Sequence, residues 1–238
     1  MVNPSPPNSR VAIITGAAQG IGEAIALRLA DDGIDVVLND LPTKRDALDG
    51  VVKAVQTKGR RAIAVLGDAT IEEDVVALVD RAVEEFGGLD IMIANAGIGR
   101  LLSLVDTTVE VWDRIMCVNV RSTMLAYKHA ARQMIKQGRG GRIVGAASMA
   151  GKRGFATLPA YCASKFAVRG LTQSAAQNAD DDKNGGPSST FILHAGWAPT
   201  TPVAEPSVVA ELVAYLVKPE AHFVTGQCLG IDGGVVMD

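Results

Sequence analysis

Tyr161 and Lys165 stand four apart in the stretch Tyr161-Cys162-Ala163-Ser164-Lys165. On a helix, that spacing puts both side chains on one face. An ammonium beside a phenol favours the phenolate and lowers the tyrosine pKa, so the phenol could exchange a proton with a reacting group. The chain has only three tyrosines. By itself the pair also fits an ordinary surface contact. Ser148 lies thirteen residues upstream, after the apolar run Ile143–Ala147. Its hydroxyl could sit beside the tyrosine, or simply cap the turn Ser148-Met149-Ala150-Gly151. Asn119 falls inside a long helical pattern, where asparagine is disfavoured. It is either a buried, satisfied amide or the site of a kink that holds a water near Lys165.

A second group of residues points to a dinucleotide. Thr15-Gly16-Ala17-Ala18-Gln19-Gly20-Ile21-Gly22 follows the first apolar run and opens a helical pattern. Gly16 permits a tight turn, Gly20 lets the backbone approach a pyrophosphate, and Gly22 lets helix and strand pack closely. The free N–H groups and positive dipole of the helix start then face the phosphates. Asp40 ends the second run, eighteen residues after Gly22. A carboxylate there can accept both adenosine ribose hydroxyls and repels a 2′-phosphate, which favours NAD over NADP. Lys44 and Arg45 lie near enough to meet a phosphate, so NADPH stays open. Asp68 and Asn95-Ala96-Gly97 follow the third and fourth runs, at the edge where such sheets bind ligands, although either can be loop chemistry alone. His129, His194 and His222 share no spacing and no carboxylate cluster, so no metal site is expected.

These residues need a scaffold, and the apolar pattern supplies one. Short continuous runs at Val11–Ile14, Val36–Leu38, Ala62–Leu66, Ile91–Ala94, Ile143–Ala147, Phe191–Leu193 and Cys228–Ile231 read as strands buried on both faces. Between them lie helical patterns at Ile21–Ala30, Ala47–Thr57, Val75–Phe86, Val109–Ile135 and Ala160–Ala176, with another from Ser207. Thr107-x-x-Glu110 reads as a capping box for the longest helix. The alternation predicts an α/β fold: a Rossmann-type doubly wound sheet of about seven mainly parallel strands with helices on both faces. Residues 1–9, with three prolines, read as a flexible leader, and 10–238 as a single dinucleotide-binding and catalytic domain. Ala179–Ser189 is polar and without periodicity, as in a loop or disordered patch.

Composition excludes several classes. The 238 residues carry 23 Lys+Arg and 26 Asp+Glu, a net charge of −3, with no basic footprint for nucleic acid. No apolar run is long enough to span a membrane, and Cys117, Cys162 and Cys228 form no CxxC pair, which fits a reduced, cytoplasmic setting.

Together, TGAAQGIG, Asp40, Asp68-Ala69, ANAG, Asn119-Val120, AASMAG, YCASK and GQCLGIDGG resemble the short-chain dehydrogenase/reductase family over residues 10–178 and 206–234. YCASKFAVRGLTQSAA is most similar to its acetoin/diacetyl reductase and butanediol dehydrogenase branch. The resemblance implies NAD-linked hydride transfer between a small ketone or diketone and a secondary alcohol. It implies a tetrad of Asn119, Ser148, Tyr161 and Lys165. Tyr161 would be the acid/base, Ser148 would orient the substrate oxygen, and Lys165 would lower the Tyr161 pKa and hold a ribose. Asn119 would position a relay water. The implied cofactor set is Gly16, Gln19, Gly20, Ile21, Gly22, Asp40, Leu41, Asp68, Ala69, Asn95, Ala96, Gly97, Tyr161, Lys165 and Thr201. The resemblance also implies a homotetramer, or otherwise a dimer. Small residues Ala126, Ala130, Ala131, Ala167, Gly170, Ala175 and Ala176 would let helices pair closely.

Two departures bear on the substrate side. Gly196-Trp197 stands where the family has Pro-Gly, and only Val203–Pro206 joins Thr201-Pro202 to the last helix, where the family carries a lid. Trp197 is either core filling or a partial wall beside Tyr161. A site without a lid would be more open and less selective. Two alternatives stay open: an NADPH-dependent carbonyl reductase, and a weakly active nucleotide-binding protein.

Overall fold

In the computed structural model, which describes residues 9–180, 189–195 and 204–233, the apolar runs pair into one seven-stranded sheet. Its strands are β1 (Val11–Thr15), β2 (Asp35–Asp40), β3 (Ala62–Leu66), β4 (Ile91–Ala94), β5 (Arg142–Ser148), β6 (Ser189–Ala195) and β7 (Cys228–Ile231). They lie in the order β3-β2-β1-β4-β5-β6-β7, every neighbouring pair parallel. The helices are α1 (Gly20–Asp31), α2 (Arg45–Thr57), α3 (Glu72–Phe86), α4 (Val109–Met116), α5 (Ser122–Gln137), α6 (Pro159–Asp180) and α7 (Pro206–Leu216).

Continuous apolar strands arise because successive side chains serve two cores. Ala12, Ile14, Val36, Leu38, Ile91 and Ile93 pack with Ile25 and Leu29 of α1, Leu48 of α2 and Val213 of α7. Their neighbours Val11, Ile13, Val37 and Met92 pack on the other face with Leu78 of α3 and Ala130 and Met134 of α5. Each fully buried Ile or Leu contributes roughly 1.5–3 kcal/mol. A polar side chain at either parity would therefore lose a core contact.

The long helix expected over Val109–Ile135 is interrupted. Cys117–Arg121 forms a π-helical segment between α4 and α5, with Asn119 at its centre. The cap is also one residue later than expected. Thr108 accepts from Val111 N (3.3 Å), because the Thr107 hydroxyl is already spent on Ser103 O (2.8 Å). At the other expected loop, α6 runs on through Asp180 and β6 begins at Ser189. Residues 181–188 and leader residues 1–8 lie outside the described residues.

The small residues assigned to helix pairing divide. Ala126 and Ala130 are buried in the second core and face the sheet. Gly170 is exposed on α6, as are the larger apolar side chains Met124 and Ile135 of α5 and Phe166 of α6.

β1 bonds β2 on one side and β4 on the other, so the chain reverses direction across the sheet at β1. The carboxyl ends of β1 and β4 splay there into a crevice.

Candidate active site

A cleft of about 560 Å³ follows that crevice. Gly16, Gln19, Gly20, Ile21, Asp40, Leu41, Asp68, Ala69, Asn95, Ala96, Gly97, Tyr161 and Lys165 all line it. Gly22 does not. A Cβ on Gly22 would stand 2.3 Å from Gly16 O, so this glycine serves the close passage of α1 beneath the loop. Gly20 has φ +59° and nothing within 4 Å of its missing Cβ, which leaves its backbone open to the cleft. Gln19 begins α1 without a side-chain cap, so the first-turn N–H groups face the same space. Thr201 lies outside the described residues, as do Gly196, Trp197 and Val203.

Polar groups at the strand ends hold the loop in shape. Thr15 Oγ1 accepts from Asn95 N (3.0 Å) and Ala96 N (3.1 Å). Asn95 Nδ2 donates to Thr15 O (3.0 Å) and Gly16 O (3.2 Å), so its amide braces the glycine loop. Asn39 Nδ2 donates to Val65 O and Gly67 O. Asp68 Oδ1 accepts from the N–H and hydroxyl of Thr70.

At the outer end, Asp40 is held by two amides. Oδ2 accepts from Ala18 N (3.0 Å) and Oδ1 from Leu41 N (2.9 Å). Lys44 Nζ donates to Gln19 Oε1 (3.0 Å) and lines the same end. Arg45 does not line the cleft. Extended shape, open glycine, uncapped helix start and terminal carboxylate fit a dinucleotide laid from Asp40 toward Tyr161.

The inner end holds Tyr161 and Lys165. Ser148, last residue of β5, caps the following turn by accepting from Ala150 N (3.2 Å), and its hydroxyl lies near enough to the Tyr161 phenol to lower its pKa. Lys165 is 4% exposed; its Nζ donates to Ala146 O (2.7 Å) and sits 5.5 Å from the Tyr161 ring centroid. Burial lowers the Lys165 pKa to about 8. The Tyr161 pKa is raised, first by burial, against the lowering effect of the Ser148 hydroxyl, with Cys162 adding a further rise. This direction opposes the one expected from the Tyr-x-x-x-Lys spacing. Both groups are desolvated, and the ammonium bonds a carbonyl rather than the phenol.

Asn119 is fully buried, and its amide is satisfied by protein. Oδ1 accepts from Ile98 N (2.8 Å), while Nδ2 donates to Ile98 O (2.9 Å) and Ser164 Oγ (2.9 Å). The buried-amide reading describes it, and the helix is broken at the same residue by the π-helical segment. Among the described residues no group of three or more His, Cys, Asp or Glu could hold a metal.

Sequence reasoning did not single out Thr15, Asn39 or Ser164. Thr15 and Asn39 carried a faint signal, as polar residues closing apolar strands. Arg114, Val118 and Ser122 also line the cleft, and nothing in their spacing marks them.

The family model described as short chain dehydrogenase matches residues 10–183. The chain is 43% identical to a short-chain dehydrogenase/reductase of Armillaria gallica over 261 aligned residues, covering 100% of both. The L-2,3-butanediol dehydrogenase of Corynebacterium glutamicum is 34% identical, with 96% of this chain and 99% of that protein covered. The crystal structure of acetoin dehydrogenase from Enterobacter cloacae matches with a TM-score of 0.85 at 30% identity, covering 95% of this chain and 96% of that one.

Proposed function

The chain belongs to the short-chain dehydrogenase/reductase family, oxidoreductases that act on alcohol and ketone groups with NAD(P), and from that premise we propose that it interconverts a small ketone or diketone and its secondary alcohol with NAD(H). The observation that carries this reading is the placing of Tyr161 and Lys165 at one end of a cleft whose other end is Asp40. Bound there, a nicotinamide dinucleotide supplies or accepts the hydride.

The chain's own residues do the rest. Tyr161 Oη gives its proton to the carbonyl oxygen in reduction and takes it back in oxidation. A phenol raised by burial stays protonated, which suits the donor role. Ser148 Oγ bonds the same oxygen and orients it. Lys165 supplies positive charge beside the phenol. The amide-held Asp40 accepts ribose hydroxyls and disfavours a 2′-phosphate. Gln19, Gly20 and Ile21 offer backbone to the pyrophosphate.

Lys44, seated on Gln19 at the Asp40 end, favours a second reading in which NADPH is used. The butanediol and acetoin dehydrogenase relatives support a small vicinal carbonyl substrate. The short Val203–Pro206 joint between Thr201-Pro202 and the last helix supports a shortened substrate side and broad tolerance. Exposed Met124 and Phe166 support symmetric self-association through α5 and α6, as a tetramer or otherwise a dimer. No helix of the described residues is long and apolar enough to cross a membrane, and a cytoplasmic setting goes with this reading.

The test is a steady-state survey of NADH and NADPH oxidation with diacetyl, acetoin and bulkier ketones, beside titration of both dinucleotides. Turnover of several small carbonyls with tighter NADH binding is expected. Tighter NADPH binding would move the reading to Lys44. Binding of either without turnover would leave a nucleotide-binding protein.

A further inference from the structure

Ser164, one residue before Lys165, is fully buried and touches two parts of the site. Its Oγ donates to Tyr161 O (2.7 Å) and accepts from Asn119 Nδ2 (2.9 Å). A hydroxyl has one proton. Tyr161 O can only accept, so that proton is spent on it, and toward Asn119 the hydroxyl can only accept. The NH₂ side of the Asn119 amide must therefore face Ser164. Its second N–H then falls on Ile98 O and its oxygen on Ile98 N–H. Asn119 thus grips both backbone groups of Ile98, as a neighbouring strand would, and both its N–H groups are used inside the protein.

What Asn119 grips is the wall of the reacting end. A Cβ on Gly97 would lie 3.4 Å from both Asn119 Oδ1 and Lys165 Nζ. A Cβ on Gly99 would lie 3.3 Å from Tyr161 Cδ2. The backbone of 97–99 therefore runs against the ammonium and the phenol ring together, and the clamp on Ile98 sets how closely.

Resting on the reading of Tyr161 and Lys165 given above, we propose that Ser164 is a positioning residue: it sets the Asn119 amide, which clamps Ile98 and so holds the 97–99 backbone against Tyr161 and Lys165. It acts on the reaction through Asn119. Ser164→Ala leaves a buried N–H of Asn119 without an acceptor, and such a group does not stay in place at no cost.

The experiment compares wild type, Ser164→Ala, Ser164→Cys, Asn119→Ala and the double alanine variant, with NADH and diacetyl. Ser164→Ala should lower kcat about tenfold or more, as for loss of one or two well-placed hydrogen bonds. Ser164→Cys fills the same space with a weak donor and acceptor and should fall with it. In the Asn119→Ala background, Ser164→Ala should add less than about twofold, the result for residues acting as one unit. A second readout needs neither cofactor nor substrate. Tyrosinate absorbance, taken as the difference from Tyr161→Phe, should show the Tyr161 titration displaced in Ser164→Ala by about half a pH unit or more.

Wild-type kcat and titration in Ser164→Ala would overturn the proposal. So would full activity in Ser164→Cys, which would assign the loss to a void, or a fully multiplicative double variant. If Tyr161→Phe itself kept full turnover, the reading of the site would fail instead. An inactive Tyr161→Phe beside an unaffected Ser164→Ala would sink only the inference about Ser164.

Discussion

Two buried charges sit at opposite ends of the sheet. At the amino end Asp35, fully buried at the start of β2, meets Arg60 Nη2 at 2.6 Å and Arg61 Nη2 at 2.9 Å. It also accepts from Arg61 N and Ser9 Oγ. At the carboxyl end Lys165, nearly as buried, meets a neutral carbonyl, Ala146 O. One charge is matched by opposite charges and ties β2, the start of β3 and the chain's entry into β1 together. Among the described residues no carboxylate meets the other, and burial lowers its pKa to about 8. A buried ion left without its partner is destabilising, so its presence at a cleft marks the end of the molecule where binding or chemistry takes priority over stability.

That contrast gives four expected outcomes. Tyr161→Phe should cut kcat by ~10²–10⁴-fold, the usual contribution of general acid/base help, while the urea midpoint stays near wild type. Retained turnover would remove the carboxyl end from the comparison. Asp35→Ala should do the reverse. It leaves two guanidiniums with a buried deficit and should lose roughly 3 kcal/mol of stability, toward the low side for a broken buried pair because both arginines keep some exposure. Steady-state kinetics at moderate temperature should be unchanged, and a lost kcat would show that the two ends are coupled.

Lys165→Met tests the sign of the second charge. In the unfolded chain this lysine keeps its proton up to its ordinary value of 10.5, but in the folded protein only to about 8. Between those values the unfolded state binds more protons, so wild-type stability rises with pH there. Below pH 8 the burial penalty is present in full. The inactive methionine variant should therefore be the more stable protein at pH 7, by up to about 3 kcal/mol. Its margin should shrink as the pH rises from 8 towards 10.5. A margin that does not vary with pH would show that Lys165 is not the group responsible. The smallest effect concerns Asp40→Ser, measured by NADH and NADPH titration. Removing one carboxylate from a partly desolvated pocket should narrow the NADH preference by about tenfold to a hundredfold, for 1–3 kcal/mol. An unchanged ratio would put cofactor choice on Lys44 or elsewhere.

Much of the scaffold was legible because its signals are local. Val11–Ile14 and Val36–Leu38 read as strands from continuity alone, since a strand covered on both faces has no polar side. The TGAAQGIG loop was legible because its glycines stand where only a residue without a Cβ fits, as at Gly22, whose Cβ would lie 2.3 Å from a carbonyl oxygen. The candidate tetrad was legible as residue types and spacings, with the resemblance assigning the roles. The π-helical break at Cys117–Arg121 was not, since Asn119 shows only as a weak helix former until Ile98 and Ser164 are brought to it from 21 residues before and 45 after. Nor was Thr108 as the cap, because the choice between two adjacent threonines depended on what Ser103 already occupied.

The sequence by itself determined the α/β alternation, the glycine-rich opening of α1, the placing of Asp40, Asn95 and Ser148 at strand ends, and Tyr161 and Lys165 on one helical face. Each follows from periodicity or backbone sterics within a few residues. Only the tertiary structure decided that Asn95 braces the glycine loop, that Asn119 spends its amide on Ile98 and Ser164, and that Tyr161 is raised where its neighbour was expected to lower it. Hydrogen-bond saturation and desolvation depend on which distant groups surround a side chain, and no spacing along the chain carries that.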